Sequence, residues 1–168
     1  MAASAPHQPV RILIVDDHVD SARALSRLFR HEGYGVVTAH TVAGALALLA
    51  GQPPVQLVVS DVGLPDGDGC ELLERLRAFY GGRDLPAIAM SGLGDAALVE
   101  RCRRAGYRLF LMKPLTFEQV IDAVRAVDIR PGAPPVSSYA IATPPAGAHL
   151  PADRPMPLGG VPAPLPAE

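Results

Sequence analysis

Short apolar runs alternate with longer segments of helical spacing between residues 10 and 130, and this alternation constrains the fold more than any other feature. The runs are brief, rich in Val, Ile, Leu or Phe, and cover residues 10–15, 35–39, 56–60, 87–91 and 107–112. Such runs are typical of strands buried on both faces of a parallel sheet. Because parallel neighbours need crossover helices, the sequence predicts an α/β protein with helices on both faces of the sheet.

The predicted helices lie between these runs. In the first, Val19, Ala22 and Leu25 share an apolar stripe with Leu28 and Phe29. The other four predicted helices cover residues 41–50, 69–80, 95–106 and 116–127. Asp68 with Glu71, and Thr116 with Gln119, have the spacing of capping pairs, which indicates where the third and fifth helices begin.

Composition changes near Arg130. From residue 131 to 168 the chain is rich in Pro, Ala and Gly, and its charged residues are Asp153, Arg154 and Glu168. Proline removes backbone donors and is excluded from helix interiors and central strands. We therefore predict a flexible lead over residues 1–9, a folded domain over 10–130 and a Pro/Ala-rich disordered tail over 131–168.

The charge balance and the few cysteines exclude several classes of protein. Lys and Arg total 15 against 17 Asp and Glu, a net charge of −2, which does not favour direct binding of nucleic acid. Cys70 and Cys102 are too few for a disulfide scaffold, and we expect free thiols on the third and fourth helices. Because the sequence shows neither a signal peptide nor a long apolar run, we expect a cytoplasmic protein without a membrane segment.

Polar residues stand where four of the predicted strands end. Asp16 and Asp17 follow the first strand, Asp61 the third, Ser91 the fourth and Lys113 the fifth. Ligand sites of open parallel sheets form beyond the carboxyl ends of the strands. Taken singly, these residues are ordinary helix caps, turn residues or surface charges. Their convergence from four strand ends favours a site.

The residue types at this edge suit phosphoryl chemistry. Three carboxylates brought together repel one another, and a divalent cation removes the repulsion. Oxygen ligands favour Mg²⁺, with Mn²⁺ as an alternative. A lysine and a serine hydroxyl can bind phosphoryl oxygens. In such a setting an aspartate can attack phosphorus and form an aspartyl phosphate.

Four motifs together carry a family resemblance. They are ILIVDDH at Ile12 to His18, VVSDVGLPDGDG at Val58 to Gly69, AMSG at Ala89 to Gly92 and FLMKP at Phe110 to Pro114. In this order and spacing, residues 10–128 resemble the receiver domain of two-component response regulators. The resemblance implies a flavodoxin-like (βα)5 three-layer sandwich with a parallel sheet in the order 2-1-3-4-5.

The resemblance also implies a role for each site residue. Asp61 is the implied phosphoacceptor, and Lys113 and Ser91 are the residues implied to bind the phosphoryl oxygens. The implied Mg²⁺ ligands are Asp16, Asp17, Asp61 and the backbone carbonyl of Gly63. Ser91 and Phe110 are the implied switch residues, and a cis peptide is implied at Pro114.

Partners follow from the same resemblance. A histidine kinase or histidine phosphotransfer protein would supply the phosphoryl group. A downstream protein would bind the face formed by the fourth helix, the fifth strand and the fifth helix. Because the tail is too short for a DNA-binding output domain, we expect a stand-alone signalling receiver rather than an enzyme.

The sequence leaves two alternatives open. One is a degenerate receiver-like module that binds partners without being phosphorylated. The other is a small phosphohydrolase similar to the haloacid dehalogenase class, which also forms an aspartyl phosphate. That class uses an Asp-x-Asp motif after its first strand, whereas Asp16 and Asp17 are adjacent here.

Overall fold

A computed structural model of the 168-residue chain describes residues 9–127, 129 and 141–142. Most of the predicted lead and of the predicted tail lies outside these residues. The disorder expected of both segments therefore stays a prediction.

The structure contains a parallel sheet in the predicted order. The strands are β1 (Arg11–Val15), β2 (Gly35–Ala39), β3 (Leu57–Asp61), β4 (Gly63–Leu64), β5 (Gly67–Asp68), β6 (Ala87–Ser91), β7 (Leu109–Met112) and β8 (Ile141–Ala142). The main sheet runs β2-β1-β3-β6-β7-β8, and all of its neighbours are parallel. Its first five strands are the five predicted ones, so the expected order 2-1-3-4-5 is confirmed.

Five helices connect these strands, close to the predicted positions. They are α1 (Val19–His31), α2 (Val42–Leu49), α3 (Gly69–Phe79), α4 (Ala96–Ala105) and α5 (Phe117–Ala126). Thr116 and Gln119 form the predicted capping box at α5, and the Asp68 side chain accepts a hydrogen bond from the Cys70 N–H at α3. Within the described part of the chain, no helix has the length and apolar character needed to cross a bilayer.

The core consists of two apolar layers, one on each face of the sheet. Side chains of α2, α3 and α4 pack on one face, and those of α1 and α5 pack on the other. Strand β1 contributes to both layers, because Leu13 faces the first and Ile12 the second. All strands except the edge strand β2 and the short additional strands are almost wholly buried. The three-layer α/β sandwich expected from the sequence is therefore confirmed.

Two features were not predicted. Strands β4 and β5 form a small antiparallel hairpin directly after β3. Strand β8 comes from within the Pro-rich segment and pairs with β7, with Phe110 opposite Ile141 and Leu111 opposite Ala142. Each of these strands has two residues, which is too short for an alternating pattern to show in the sequence.

Candidate functional site

The carboxyl edge of the sheet gathers the polar residues singled out in the sequence. Asp16 follows β1, Asp61 ends β3, Ser91 ends β6 and Lys113 follows β7. Because these strands are parallel and adjacent, their ends lie along one edge. The predicted convergence is therefore observed.

Lys113 joins two of the carboxylates. Its Nζ lies 2.7 Å from Oδ2 of Asp61 and 3.3 Å from Oδ2 of Asp16. Burial alone would lower the pKa of Lys113, but the hydrogen bonds and negative charges of Asp61 and Asp16 outweigh burial and raise it. Lys113 is therefore a fixed cation between two acidic groups. Since Asp16 is only 1% exposed, this contact is much less screened by solvent than a surface ion pair.

Asp61 is held at its other oxygen by the chain that follows it. The backbone N–H of Gly63 donates to Oδ1 of Asp61 at 3.1 Å, while Oδ2 faces Lys113. The residue is 9% exposed, which leaves a small part of it open to solvent. Asp61 is thus oriented by two donors and still reachable from outside.

Asp16, Asp17 and His18 form a compact group beside Lys113. Their candidate ligand atoms all lie within 4.8 Å of one another. The His18 backbone N–H donates to Oδ1 of Asp16 at 2.9 Å, and the His18 Nδ1 lies 3.1 Å from Oδ1 of Asp17. His18 is also the N-cap residue of α1, so it both begins the helix and borders the acidic pair.

The donors at this edge fit a divalent cation. Asp16, Asp17 and Asp61 bring three negative charges against the single ammonium of Lys113. The carboxylate oxygens are hard ligands, and Mg²⁺ commonly uses one or two carboxylates together with waters. Asp16 and Asp17 are the residues best placed to hold such an ion.

Ser91 lies at the same edge but is not bonded to the charged group. Its hydroxyl accepts a hydrogen bond from the Leu93 N–H at 3.1 Å. Its carbonyl accepts one from the Lys113 N–H at 2.8 Å. Among the described residues, no hydrogen bond links the Ser91 hydroxyl to Asp61 or Lys113. Ser91 is therefore near the site without taking part in its ion pairs.

Phe110 and Pro114, the implied switch residue and the implied site of a cis peptide, lie on either side of Lys113 in the chain. Phe110 is fully buried in the layer that also contains α3 and α4 residues. The peptide bond between Lys113 and Pro114 is cis, as the resemblance implied.

The structure adds two residues that sequence reasoning missed. His40, at the end of β2, places its Nδ1 2.8 Å from the Asp16 carbonyl oxygen. Asp66, in the β4–β5 turn, accepts hydrogen bonds from the N–H groups of Val42 and Ala43 at the start of α2. These bonds lower the pKa of Asp66. Both contacts join parts of the chain 24 residues apart, so no local pattern signals them.

Comparison with known proteins agrees with this geometry. The family model described as "Response regulator receiver domain" matches residues 12–125. A probable chemotaxis protein CheY of Rhizobium etli is 31% identical over 120 residues, covering 71% of this chain and 93% of that protein. A probable transcriptional regulatory protein, TcrX of Mycobacterium tuberculosis, is 35% identical over 138 residues. That match covers 81% of this chain but 57% of TcrX.

Solved structures give the same fold. A CheY-like receiver domain protein from Methanospirillum hungatei superposes with a TM-score of 0.63 at 28% identity, covering 70% of this chain and 91% of that one. The CheX–CheY–BeF3–Mg²⁺ complex of Borrelia burgdorferi gives 0.62 at 30% identity, covering 69% and 87%. The family match covers most of the described residues and includes the four strand ends that build the acidic edge. The chain belongs to the response regulator receiver family.

Proposed function

We propose that Asp61 accepts a phosphoryl group from a phosphohistidine, in a reaction that depends on Mg²⁺. The observation that carries this proposal is the position of Asp61. One of its oxygens lies 2.7 Å from the Lys113 ammonium, and the acidic group of Asp16 and Asp17 adjoins it. A carboxylate flanked by a fixed cation and a cation site is suited to attack on phosphorus.

The transfer follows from this arrangement. A carboxylate oxygen of Asp61 forms a bond to phosphorus while the bond from phosphorus to the donor imidazole nitrogen breaks. The electron pair of the broken bond stays on that nitrogen. The nitrogen then takes a proton from solvent where it needs one, so that the donor side chain is left as neutral imidazole. Lys113 neutralises charge on the phosphoryl oxygens. A bound Mg²⁺ would supply further charge neutralisation, with Asp16 and Asp17 as its protein ligands.

The phosphorylated form would act through Ser91 and Phe110. We expect the Ser91 hydroxyl to give up the hydrogen bond that it accepts from the Leu93 N–H and to donate one to a phosphoryl oxygen. Phe110 would then repack beside Ser91. Residues of α4, β7 and α5 would then present a changed surface. This is a local charge event that biases a two-state element.

The partners belong to the same proposal. A histidine kinase or histidine phosphotransfer protein supplies the phosphoryl group, and a downstream protein reads the face formed by α4, β7 and α5. The Borrelia burgdorferi complex, in which a CheY receiver is bound to CheX, supports a protein partner. We place this role in the cytoplasm, and we assign the chain to signalling rather than to enzymatic turnover.

Intact mass after incubation with acetyl phosphate and Mg²⁺ tests the proposal. The expected result is the addition of one phosphoryl group, with loss of acetate from the donor. Chelation of Mg²⁺ should abolish the adduct. Asp61→Asn should do the same, because the amide is not a nucleophile at this position.

Two other outcomes would contradict the proposal. If neither a phosphoryl adduct nor a beryllofluoride complex forms, the chain is a receiver that binds partners without phosphorylation. If small phosphate esters are hydrolysed with turnover, the chain is a phosphohydrolase. Asp122→Asn, an exposed change on α5, is a matched control that should leave the adduct unaffected.

A further inference from the structure

A pair of cysteines lies at the contact between α3 and α4. The Sγ of Cys70, at the start of α3, is 3.8 Å from the Sγ of Cys102 on α4. Cys70 is 7% exposed and Cys102 is fully buried. Cys102 is the one fully buried residue of α4, and Leu98, Val99 and Ala105 of the same helix pack against the core beside it while partly exposed.

The sulfur pair is close to solvent in spite of its burial. A surface cavity of about 400 Å³ opens between α3 and α4, and Cys70 is part of its wall. Charged side chains form much of the rest, among them Glu74, Arg101 and Arg104. A small polar solute can therefore reach the cavity wall that Cys70 helps to form without unfolding of either helix.

The hydrogen bond between the two thiols makes them unequal. Cys70 donates to Cys102, which raises the pKa of Cys70 and lowers the pKa of Cys102. The positive charge of Arg101 adds to the lowering at Cys102. Thiolate, the reactive form of cysteine, is thus favoured on Cys102, whose sulfur is in contact with the Cys70 thiol.

We infer that Cys70 and Cys102 are a modification site: a dithiol that hydrogen peroxide converts into a reversible disulfide between α3 and α4. The thiolate of one cysteine attacks a peroxide oxygen and releases hydroxide, which leaves a sulfenic acid. The sulfur of the other cysteine then displaces hydroxide from it, and its thiol proton completes a water molecule. Two thiols and one peroxide give one disulfide and two waters.

The disulfide would restrain helix α4 and would not alter the contacts of the acidic edge. Neither cysteine contacts Asp61, Lys113 or Asp16 among the residues described. A covalent link from Cys102 would hold α4 against α3, to which side-chain packing and the ion pair of Arg101 with Asp68 now attach it. Oxidation would therefore restrict movement of α4, independently of whether Asp61 accepts phosphate.

Peptide mapping of the folded full-length chain under non-reducing conditions tests the inference. After exposure to hydrogen peroxide, we expect a cross-linked pair of peptides containing Cys70 and Cys102, two hydrogens lighter than the separate peptides. Dithiothreitol should reverse the link. The oxidised monomer should melt about 5–10 °C higher than the reduced one, because the bridge constrains the unfolded chain.

Single variants separate this result from its alternatives. Cys70→Ala and Cys102→Ala should each lose the cross-link and the rise in Tm. Hydrogen exchange of α4 should slow on oxidation of the unmodified chain and not of these variants. Dimers linked between chains, oxidation of one cysteine alone, or thiols that resist peroxide until the protein is denatured would each overturn the inference.

Discussion

Lys113 carries a positive charge into a group of carboxylates that would otherwise repel one another. Its Nζ bridges Asp61 and Asp16. The same charge repels a divalent cation held by the neighbouring carboxylates, and charges this close interact strongly where water is partly excluded. Under the proposed function, Lys113 would therefore serve two purposes: it compensates the charge of the carboxylates and it would bind phosphoryl oxygens.

Replacement of Lys113 by methionine should strengthen Mg²⁺ binding. We expect the dissociation constant to fall about tenfold, equivalent to ~1.4 kcal/mol, measured by isothermal titration calorimetry. Arg27→Met removes the same charge from an exposed position two turns into α1 and should leave the constant unchanged. Unchanged or weaker binding in Lys113→Met would show that the cation does not bind beside this lysine.

Gly69 is a second residue on which the site depends. A Cβ at this position would lie 2.6 Å from the Asp61 carbonyl oxygen and 3.0 Å from the Tyr107 hydroxyl. Because backbone cannot give way as a flexible side chain can, Gly69→Ala should lower the free energy of unfolding by about 1–3 kcal/mol. Urea denaturation measures this change. Gly92→Ala, where a Cβ meets nothing within 4 Å, should have little effect, and equal losses in both variants would contradict the steric argument.

At the scale of the element, the start of α5 shows how local sequence fixes a boundary. Thr116 accepts a hydrogen bond from the Gln119 N–H, and the Gln119 side chain accepts one from the Thr116 N–H. Thr116→Ala should cost ~1 kcal/mol of stability in urea denaturation, because it leaves a helix N–H without its partner. Thr116→Ser keeps the hydroxyl and should retain most of that stability. Equal losses in the two variants would mean that the cap is not the cause.

Much of the fold could be predicted at this scale because each strand and helix has its own local pattern. The strands Gly35–Ala39 and Ala87–Ser91 have the predicted ends, and the acidic edge follows from parallel strands ending together. Strand β7, the last of the five predicted strands, begins at Leu109 rather than Tyr107, because the Tyr107 N–H donates instead to the Cys102 carbonyl at the end of α4. Contacts between distant segments, such as Asp66 with α2, have no local pattern and needed the structure.

For the whole molecule, the main addition to the expected architecture is β8 at the edge of the sheet. It covers β7, which would otherwise be an edge strand with unpaired backbone groups. The face that we propose for a downstream partner includes β7, so part of the chain's own C-terminal segment lies where that partner would approach.

Ile141→Pro tests whether this strand is formed in solution. Proline cannot donate to the sheet and should displace β8 from β7. We expect faster amide hydrogen exchange in peptides that contain Phe110 and Leu111, with no change in peptides from β2 at the opposite edge. Unaltered exchange at β7 would show that β8 does not pair there.

We propose that the Asp61 carboxylate, rather than Asp16 or Asp17, forms the bond to phosphorus. Borohydride reduction of the chain after treatment with acetyl phosphate and Mg²⁺ locates that bond, since an aspartyl phosphate is reduced to homoserine. Peptide mapping should find homoserine at position 61, and none in Asp61→Asn. Homoserine at Asp16 or Asp17 instead, or at no position while a phosphoryl adduct is present, would show that Asp61 is not the phosphoacceptor.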